Sequence, residues 1–313
     1  MTTLLQHIGN TPLVALTHIG RGLPFPVLVK CEHMNPGGSI KDRIALAIID
    51  DAEARGVLRP GMTLIEATAG NTGVGLALVA AARGYKLLCV MPEKMSVDKR
   101  VALTALGARV HITPNAPPSS PENFRNVALR MAEEHGYFLT DQFNNPANVR
   151  AHATTTAVEI LQQTGGCVGA FVAGAGTGGT ISGVGRRLKE ALPHVRVVLA
   201  DPVGSALAEW VETGVLGPDG SYAVEGIGSS AAPQNLHREV IDEAERVSDE
   251  ESFQMVQRLV REEGLLVGGS AGTNVVAALR IAARNDLQGP VVTVLPDSWD
   301  RYRAKPWMQG WTS

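Results

Sequence analysis

The feature that most constrains this chain is a sustained alternation of short apolar runs with longer amphipathic ones. Runs of four to six residues read as strands at 62–67, 86–91, 109–113, 137–140, 170–173, 195–200 and 291–295. Between them, a period near 3.6 predicts helices over 73–83, 97–106, 121–134, 148–163, 180–192, 249–263 and 272–283. Glycines at Gly107, Gly136 and Gly264 supply stop signals. Strands separated by helices of this length imply βαβ units and a mainly parallel sheet, an α/β fold. Helices covering both sheet faces explain why the strands are nearly continuous apolar text. Two stretches break the pattern. The segment 114–121, PNAPPSSP, reads as a surface loop, and 204–228 as a loop-rich insertion or cleft wall.

A length of 313 residues gives room for about two domains. The formal net charge is −3, which provides no electrostatic footprint for nucleic acid or an anionic membrane. No apolar run approaches the roughly 18 residues that span a bilayer. The first basic residue is Arg21, so no secretory leader is expected. Cys31, Cys89 and Cys167 are far apart and form no C-x-x-C, and they read as free thiols of a reducing cytoplasm. The eight histidines include no metal-binding pair, so no metal is expected.

Glycine is the outlier, 34 residues against roughly 7% in average usage. The densest run, GAGTGGT at 174–180, lies between a strand and a helix, where backbone N–H groups and a helix N-terminus suit a phosphate. Tight strand–helix packing would also call for glycine there. The same run spells G-x-G-x-x-G, with Asp201 after the next strand, so a nicotinamide-dependent oxidoreductase is a rival on this segment alone. TAGNTG at 68–73 offers N–H groups and polar side chains to a carboxylate, and GGSAG at 268–272 exposes a hydroxyl at Ser270. In NPGGSIKDR, 35–43, Lys41 follows a glycine turn and opens apolar periodic text. A lysine so placed, together with a phosphate cradle, points to a Schiff base with an aldehyde cofactor.

These motifs, in order with IGNTPL, AHATTTAVEIL, VEGIG, EGLLVGGSAG and LPDS, make the chain resemble the fold-type II pyridoxal-phosphate enzymes of β-replacement over almost its full length. That family comprises cystathionine β-synthase and cysteine synthase. The resemblance implies a tryptophan synthase β-like fold, with two open, twisted, mainly parallel sheets flanked by helices. It divides the chain into a smaller mobile domain, 40–145, and a larger one from 1–39 and 146–313, with pyridoxal 5'-phosphate in a cleft between them. It makes Lys41 the cofactor-bearing lysine and general acid/base. Asn71 would bond the ring hydroxyl, Gly176, Thr177, Gly178, Gly179 and Thr180 would cradle the phosphate, and Ser270 would face the pyridine nitrogen. Thr68, Ala69, Asn71, Thr72 and Gln142 would bind the α-carboxylate of the substrate. The implied partners are a small amino acid, a thiol and a second copy of the chain in a homodimer.

Within the family, KCE at 30–32, VEGIG, LPDS and a tail with Tyr302, Lys305 and Trp311 are closer to cystathionine β-synthase. Two positions depart from it. SSAAP at 229–233 replaces aromatic and acidic text near the expected thiol entrance, and Ala69 stands where members usually carry serine. Losing one hydroxyl donor to a carboxylate costs about five- to thirty-fold in affinity. Ala69→Ser is therefore expected to tighten the amino-acid donor by that factor with an unchanged cofactor spectrum; a weaker donor would contradict the assignment of this loop.

Overall fold

The computed structural model describes residues 3–68, 70–93, 95, 97–309 and 311. In chain order it begins with β1 (Leu13–Ala15), β2 (Val27–Lys30), α1 (Lys41–Ala54), β3 (Thr63–Ala67), α2 (Asn71–Arg83), β4 (Lys86–Pro92) and α3 (Val97–Ala105). Then come β5 (Arg109–Thr113), α4 (Phe124–His135), β6 (Phe138–Leu139), α5 (Ala147–Ala151), a π-helical turn (His152–Thr156) and α6 (Ala157–Gln163). The remainder holds β7 (Ala170–Ala173), α7 (Gly179–Ala191), β8 (Arg196–Pro202), α8 (Leu207–Thr213) and β9 (Glu243–Val247). It ends with α9 (Asp249–Glu263), α10 (Gly269–Ala282), β10 (Val291–Val294) and α11 (Pro306–Gln309). Helices α4 and α9 stop at Gly136 and Gly264, both left-handed (φ 65° and 70°), as their glycine stops predict.

The chain forms two units, Met1–Ile8 with Asn35–Asn148, and Gly9–Met34 with Val149–Ser313. The beginning of the chain belongs with the smaller unit because Leu5 and Ile8 pack on its core beside Leu76 and Leu87. That unit carries a parallel sheet of order β5-β4-β3-β6. The larger unit carries a sheet of order β1-β2-β10-β7-β8-β9, parallel except for the β1–β2 pair. The fold is therefore α/β with two mainly parallel sheets.

Each sheet has one point where the strand order reverses. From β3 the chain proceeds outward through β4 to β5, then returns to β3's other side as β6. From β7 it proceeds through β8 to β9, then returns as β10. Crevices at the carboxyl ends of such strands are the ligand sites of open α/β sheets. Thr68 follows β3, and the loop 174–178 follows β7, at those ends.

Beyond the predicted elements, the structure contains β1, β2, α8 and β9, and helix α10 begins earlier than position 272. β9 reads EAERV, too charged to register as a strand. It is one of the two edges of its sheet, and its charges are paired: Glu243 with Arg284 at 2.7 Å and Arg246 with Glu212 at 2.7 Å. Charged side chains on an edge strand discourage pairing with another chain.

Cys31 and Cys89 are buried free thiols, whereas Cys167 is exposed. Burial pushes the Cys31 thiol up to about 11 and the Cys89 thiol up to about 12.

Residues of the KCE triplet are spent on packing. The Lys30 ammonium is fully buried and donates to Thr11 O (2.6 Å) and Gln163 Oε1 (2.8 Å), with Glu159 Oε2 at 2.7 Å. The buried carboxylate of Glu32 accepts from Thr11 Oγ1 at 2.6 Å. Removing one partner of a buried ion pair costs about 3–5 kcal/mol, because the other charge stays desolvated. Lys30→Met is expected to lose that amount in urea unfolding, and a loss under about 1 kcal/mol would show that the pair is screened as surface pairs are.

Candidate active site

Three helices that open at the glycine motifs share an uncommon start. The N-caps of α2, α7 and α10 are Gly70, Gly178 and Gly268, none with a capping side chain, and none of their first turns holds an acidic residue. Helix α9 shows the ordinary alternative, with Ser248 and Glu251 in a capping box and Asp249, Glu250 and Glu251 in its first turn. Helix N-termini left without an acid or a capping side chain suit an external anion.

In the smaller unit, Thr68, Asn71, Thr72 and Gln142 converge at the carboxyl ends of β3 and β6. Asn71 and Thr72 form the first turn of α2, and Thr72 Oγ1 donates to Gln142 Oε1 at 2.5 Å. Thr68 Oγ1 accepts from Gly70 N at 3.3 Å, and Thr68, Thr72 and Gln142 are all buried. Ala69 lies outside the described residues. Lys41 is the first residue of α1, its backbone N–H donating to Ser39 Oγ at 3.2 Å. The preceding turn is held by Asp42, whose carboxylate accepts from Gly37 N at 2.5 Å. Helices α1 and α2 approach closely here: a Cβ on Gly75 would stand 3.0 Å from the Lys41 carbonyl oxygen. Lys41 and the pair Asn71 and Thr72 are thus mounted on the starts of two helices packed against each other.

In the larger unit, the loop between β7 and α7 contains Gly176, Thr177 and Gly178, while Gly179 and Thr180 begin α7. Its glycines are demanded by neighbours. A Cβ on Gly176 would meet Gly226 O at 2.2 Å, one on Gly174 the Ile227 side chain at 2.8 Å, and one on Gly178 the Leu236 backbone at 2.6 Å. Gly178 is also left-handed, φ 85°. VEGIG is therefore the segment that walls this loop, with Gly228 N donating to Ala175 O at 2.9 Å. Close packing therefore accounts for glycine at 174, 176 and 178. Asn274, missed in the sequence, spans the strand-order reversal: its Oδ1 accepts from Gly174 N (2.7 Å) and its Nδ2 donates to Val294 O (2.9 Å).

Ser270 is buried in the first turn of α10 rather than in a preceding turn. Its segment also spells G-x-S-x-G, but that pattern marks a hydrolase when the serine sits on a sharp strand-to-helix elbow, and Val267 makes only an isolated bridge to Ser298. Gly268 is clamped by the tail, since its Cβ would stand 2.4 Å from both Asp297 Oδ1 and the Tyr302 ring, and Tyr302 donates to Asp297 Oδ2 at 2.6 Å. Asp297 of LPDS thus holds Tyr302 against the start of α10. Glu225 of VEGIG pairs with Lys305, and Trp307 stacks on Phe253 with 4.7 Å between ring centroids. Ser229 of SSAAP is tied to the chain beside it, its N–H donating to Ser205 Oγ at 3.1 Å.

Asp201 overturns the dinucleotide reading of the glycine run. It is fully buried in β8 and its Oδ2 accepts from Ala208 N at 2.8 Å, at the start of α8, where a ribose cannot reach it. Burial raises its carboxyl from 3.8 to about 6, against hydrogen bonds from Ser205 and Ala208 that lower it. A carboxyl raised on folding contributes stability that is present below pH 3.8 and lost as pH rises through about 6. Asp201→Asn, neutral throughout, is expected to gain melting temperature relative to the parent across that window and to hold the gain above it. A difference independent of pH would contradict the shift.

Among the described residues no helix is long and apolar enough to cross a membrane, and no group of three His, Cys, Asp or Glu could hold a metal ion. Comparison with known proteins completes the description. The family model "pyridoxal-phosphate dependent enzyme" matches residues 4–297. The chain is 46% identical over 309 residues to cystathionine beta-synthase of Apis mellifera, covering 97% of this chain but 61% of the bee protein. It therefore spans less than two thirds of that relative's length. It is 42% identical to cysteine synthase of Staphylococcus aureus (strain Mu50), covering 97% of this chain and 96% of the relative. The crystal structure of O-ureido-L-serine synthase superposes with a TM-score of 0.89 at 40% identity, over 99% of this chain and 96% of that one. By sequence and fold, the chain belongs to the pyridoxal-phosphate dependent enzymes.

Proposed function

We propose that this chain catalyses β-replacement on a serine-type amino acid, joining serine and homocysteine to give cystathionine. The observation that carries the reaction type is Ser270 at the glycine-capped start of α10, whose first turn holds no acid. A neutral hydroxyl facing a pyridine nitrogen leaves the ring a weaker electron sink than a carboxylate would, which favours loss of a β-substituent over prolonged carbanion chemistry. The preference for serine and homocysteine is supported by the identity to the bee cystathionine beta-synthase.

The residues present fit the cofactor. A left-handed Gly178 and two further glycines that admit no Cβ shape a backbone cradle at an uncapped helix start, suited to a phosphate dianion. In this reading Gly176, Thr177, Gly178, Gly179 and Thr180 hold that phosphate, Ser270 meets the ring nitrogen and Asn71 the ring hydroxyl. Bound there, pyridoxal phosphate supplies the aldehyde and the electron sink. Thr68, Thr72 and Gln142 orient the donor by its α-carboxylate, together with Ala69 and Asn71. Lys41 Nζ would hold the cofactor at rest and, once the donor's amine has displaced it, would be free as the base that removes the Cα proton. Hydroxide is a poor leaving group, and the ammonium form of Lys41 delivers the proton it needs. The thiol sulfur would add at Cβ as its proton passes to Lys41, which would then deliver that proton to Cα. The working enzyme in this reading is a homodimer of a reducing cytoplasm.

A second reading, O-acetylserine with sulfide, draws support from the near-complete mutual coverage with the staphylococcal cysteine synthase. The deciding experiment compares kcat/KM for serine or O-acetylserine against homocysteine or sulfide at one pH, on protein whose cofactor is traced to Lys41 by borohydride reduction and peptide mapping. Highest turnover with serine and homocysteine is expected. Turnover confined to O-acetylserine and sulfide would replace the first reading by the second, and label on another lysine would sink both.

A further inference from the structure

Glu66 is a carboxylate with no place in the chemistry above. It lies in β3 between Ile65 and Ala67, in strand text that is otherwise apolar at TLIEA, and it is 2% exposed. A carboxyl group persists at such a position only where donors meet it. Burial raises its pKa, opposed by a hydrogen bond from Thr140 and backbone N–H groups of Gln142 and Ala67.

Those donors occur where the sheet ladder ends. β6 pairs with β3 through Phe138 and Leu139, and Thr140 N continues the ladder to Ile65 O at 3.1 Å. At Asp141 the chain turns left-handed, φ 49°, a conformation uncommon outside glycine. Beyond that break Glu66 takes over from the strand. Its Oε2 accepts both the Thr140 hydroxyl and Gln142 N, the latter at 3.2 Å. Asn148 Nδ2 holds the Gln142 carbonyl from the other side at 2.8 Å, and Asn145 Nδ2 holds Thr140 O at 3.0 Å. With its main chain fixed, Gln142 accepts from Thr72 through Oε1, which sets its amide NH2 as the donor for an anion.

We propose that Glu66 is the positioning residue of the carboxylate half-site: it fixes the left-handed turn at Asp141 and so aims Gln142 at the α-carboxylate of the amino-acid donor. The proposal rests on the reading of Gln142 as a carboxylate ligand. Glu66→Gln keeps the shape but must set its NH2 either against Thr140 and Gln142, which share one oxygen, or against the Ala67 N–H, and Thr140→Val removes a donor while keeping the carboxylate.

The test uses the cofactor-loaded enzyme and two readouts, steady-state kinetics and calorimetric titration with alanine, an amino acid that has no β-leaving group. Gln142→Ala serves as reference and Thr140→Ser as the conservative control. Glu66→Gln and Thr140→Val are each expected to raise KM for the donor and Kd for alanine about five- to thirty-fold. The thiol KM, the kcat and the cofactor content should change less than about twofold, a change too small to read as a lost hydrogen bond. Thr140→Ser should match the parent. If Gln142→Ala weakens alanine but Glu66→Gln and Thr140→Val do not, the positioning proposal is overturned and the carboxylate reading stands. If Gln142→Ala itself leaves alanine binding unchanged, that reading falls and takes the proposal with it. Equal losses for donor, thiol and cofactor would overturn the proposal in favour of general loosening, and Thr140→Val carries the test should Glu66→Gln not fold.

Discussion

The larger unit is organised around one steric fact, the contact of Gly176 with the carbonyl of Gly226, where a methyl group would stand 2.2 Å from the oxygen. Everything around the loop after β7 is arranged to make that approach possible and to hold it. Gly174 admits Ile227, Gly228 N–H closes on Ala175 O, and Asn274 stitches the loop's first residue to the end of β10. A backbone held this tightly keeps its N–H groups in fixed directions, and fixed dipoles need no reorganisation when an anion arrives. Three segments distant in sequence, 174–180, 224–228 and 268–274, are therefore one structural object.

The smaller unit solves a similar problem with side chains. There the strand-order reversal between β3 and β6 is bridged by Glu66 and by the Thr72–Gln142 pair, while in the larger unit Asn274 bridges β7 and β10. In both, a parallel ladder ends and buried polar groups supply what the ladder no longer can. Buried donors and acceptors left unmatched at such an end would be costly, so the side chains that satisfy them are as constrained as the ligand-facing ones.

The alternation of strands and helices was legible because both sheets are covered and their strands are apolar. β4 and β7 are buried at nearly every position and announce themselves. β9 did not, because an edge strand needs no apolar face and its charges find partners on neighbouring helices and loops. The predicted helix over 148–163 is interrupted by a π-helical turn at His152–Thr156, which apolar periodicity cannot reveal. Helix α10 starts at Gly269 because glycines there serve close packing against Phe253 and Ser252, while in the text they read as a turn. At the site, Lys41 and the glycine loops were readable as motifs, since glycine and an isolated lysine stand out from strand text. Glu66 had a signal too, one acid in a buried strand, but its partners Thr140 and Gln142 lie over seventy residues away and no spacing rule connects them. KCE and LPDS were legible only as likeness to the family, and the structure shows what two of their residues hold: Lys30 pairs with Glu159, and Asp297 accepts from Tyr302.

The two core cysteines have a further meaning for a protein whose proposed reaction uses a sulfur nucleophile. The reactive form of a thiol is the thiolate. With Cys31 at about 11 and Cys89 at about 12, no more than about one in ten thousand of either is ionised near neutral pH. Neither can compete with an incoming thiol for an electrophilic carbon, nor exchange readily with an oxidised one. Burial thus withholds charge from the two core sulfur atoms, Cys31 and Cys89, and leaves the exposed Cys167 outside that protection.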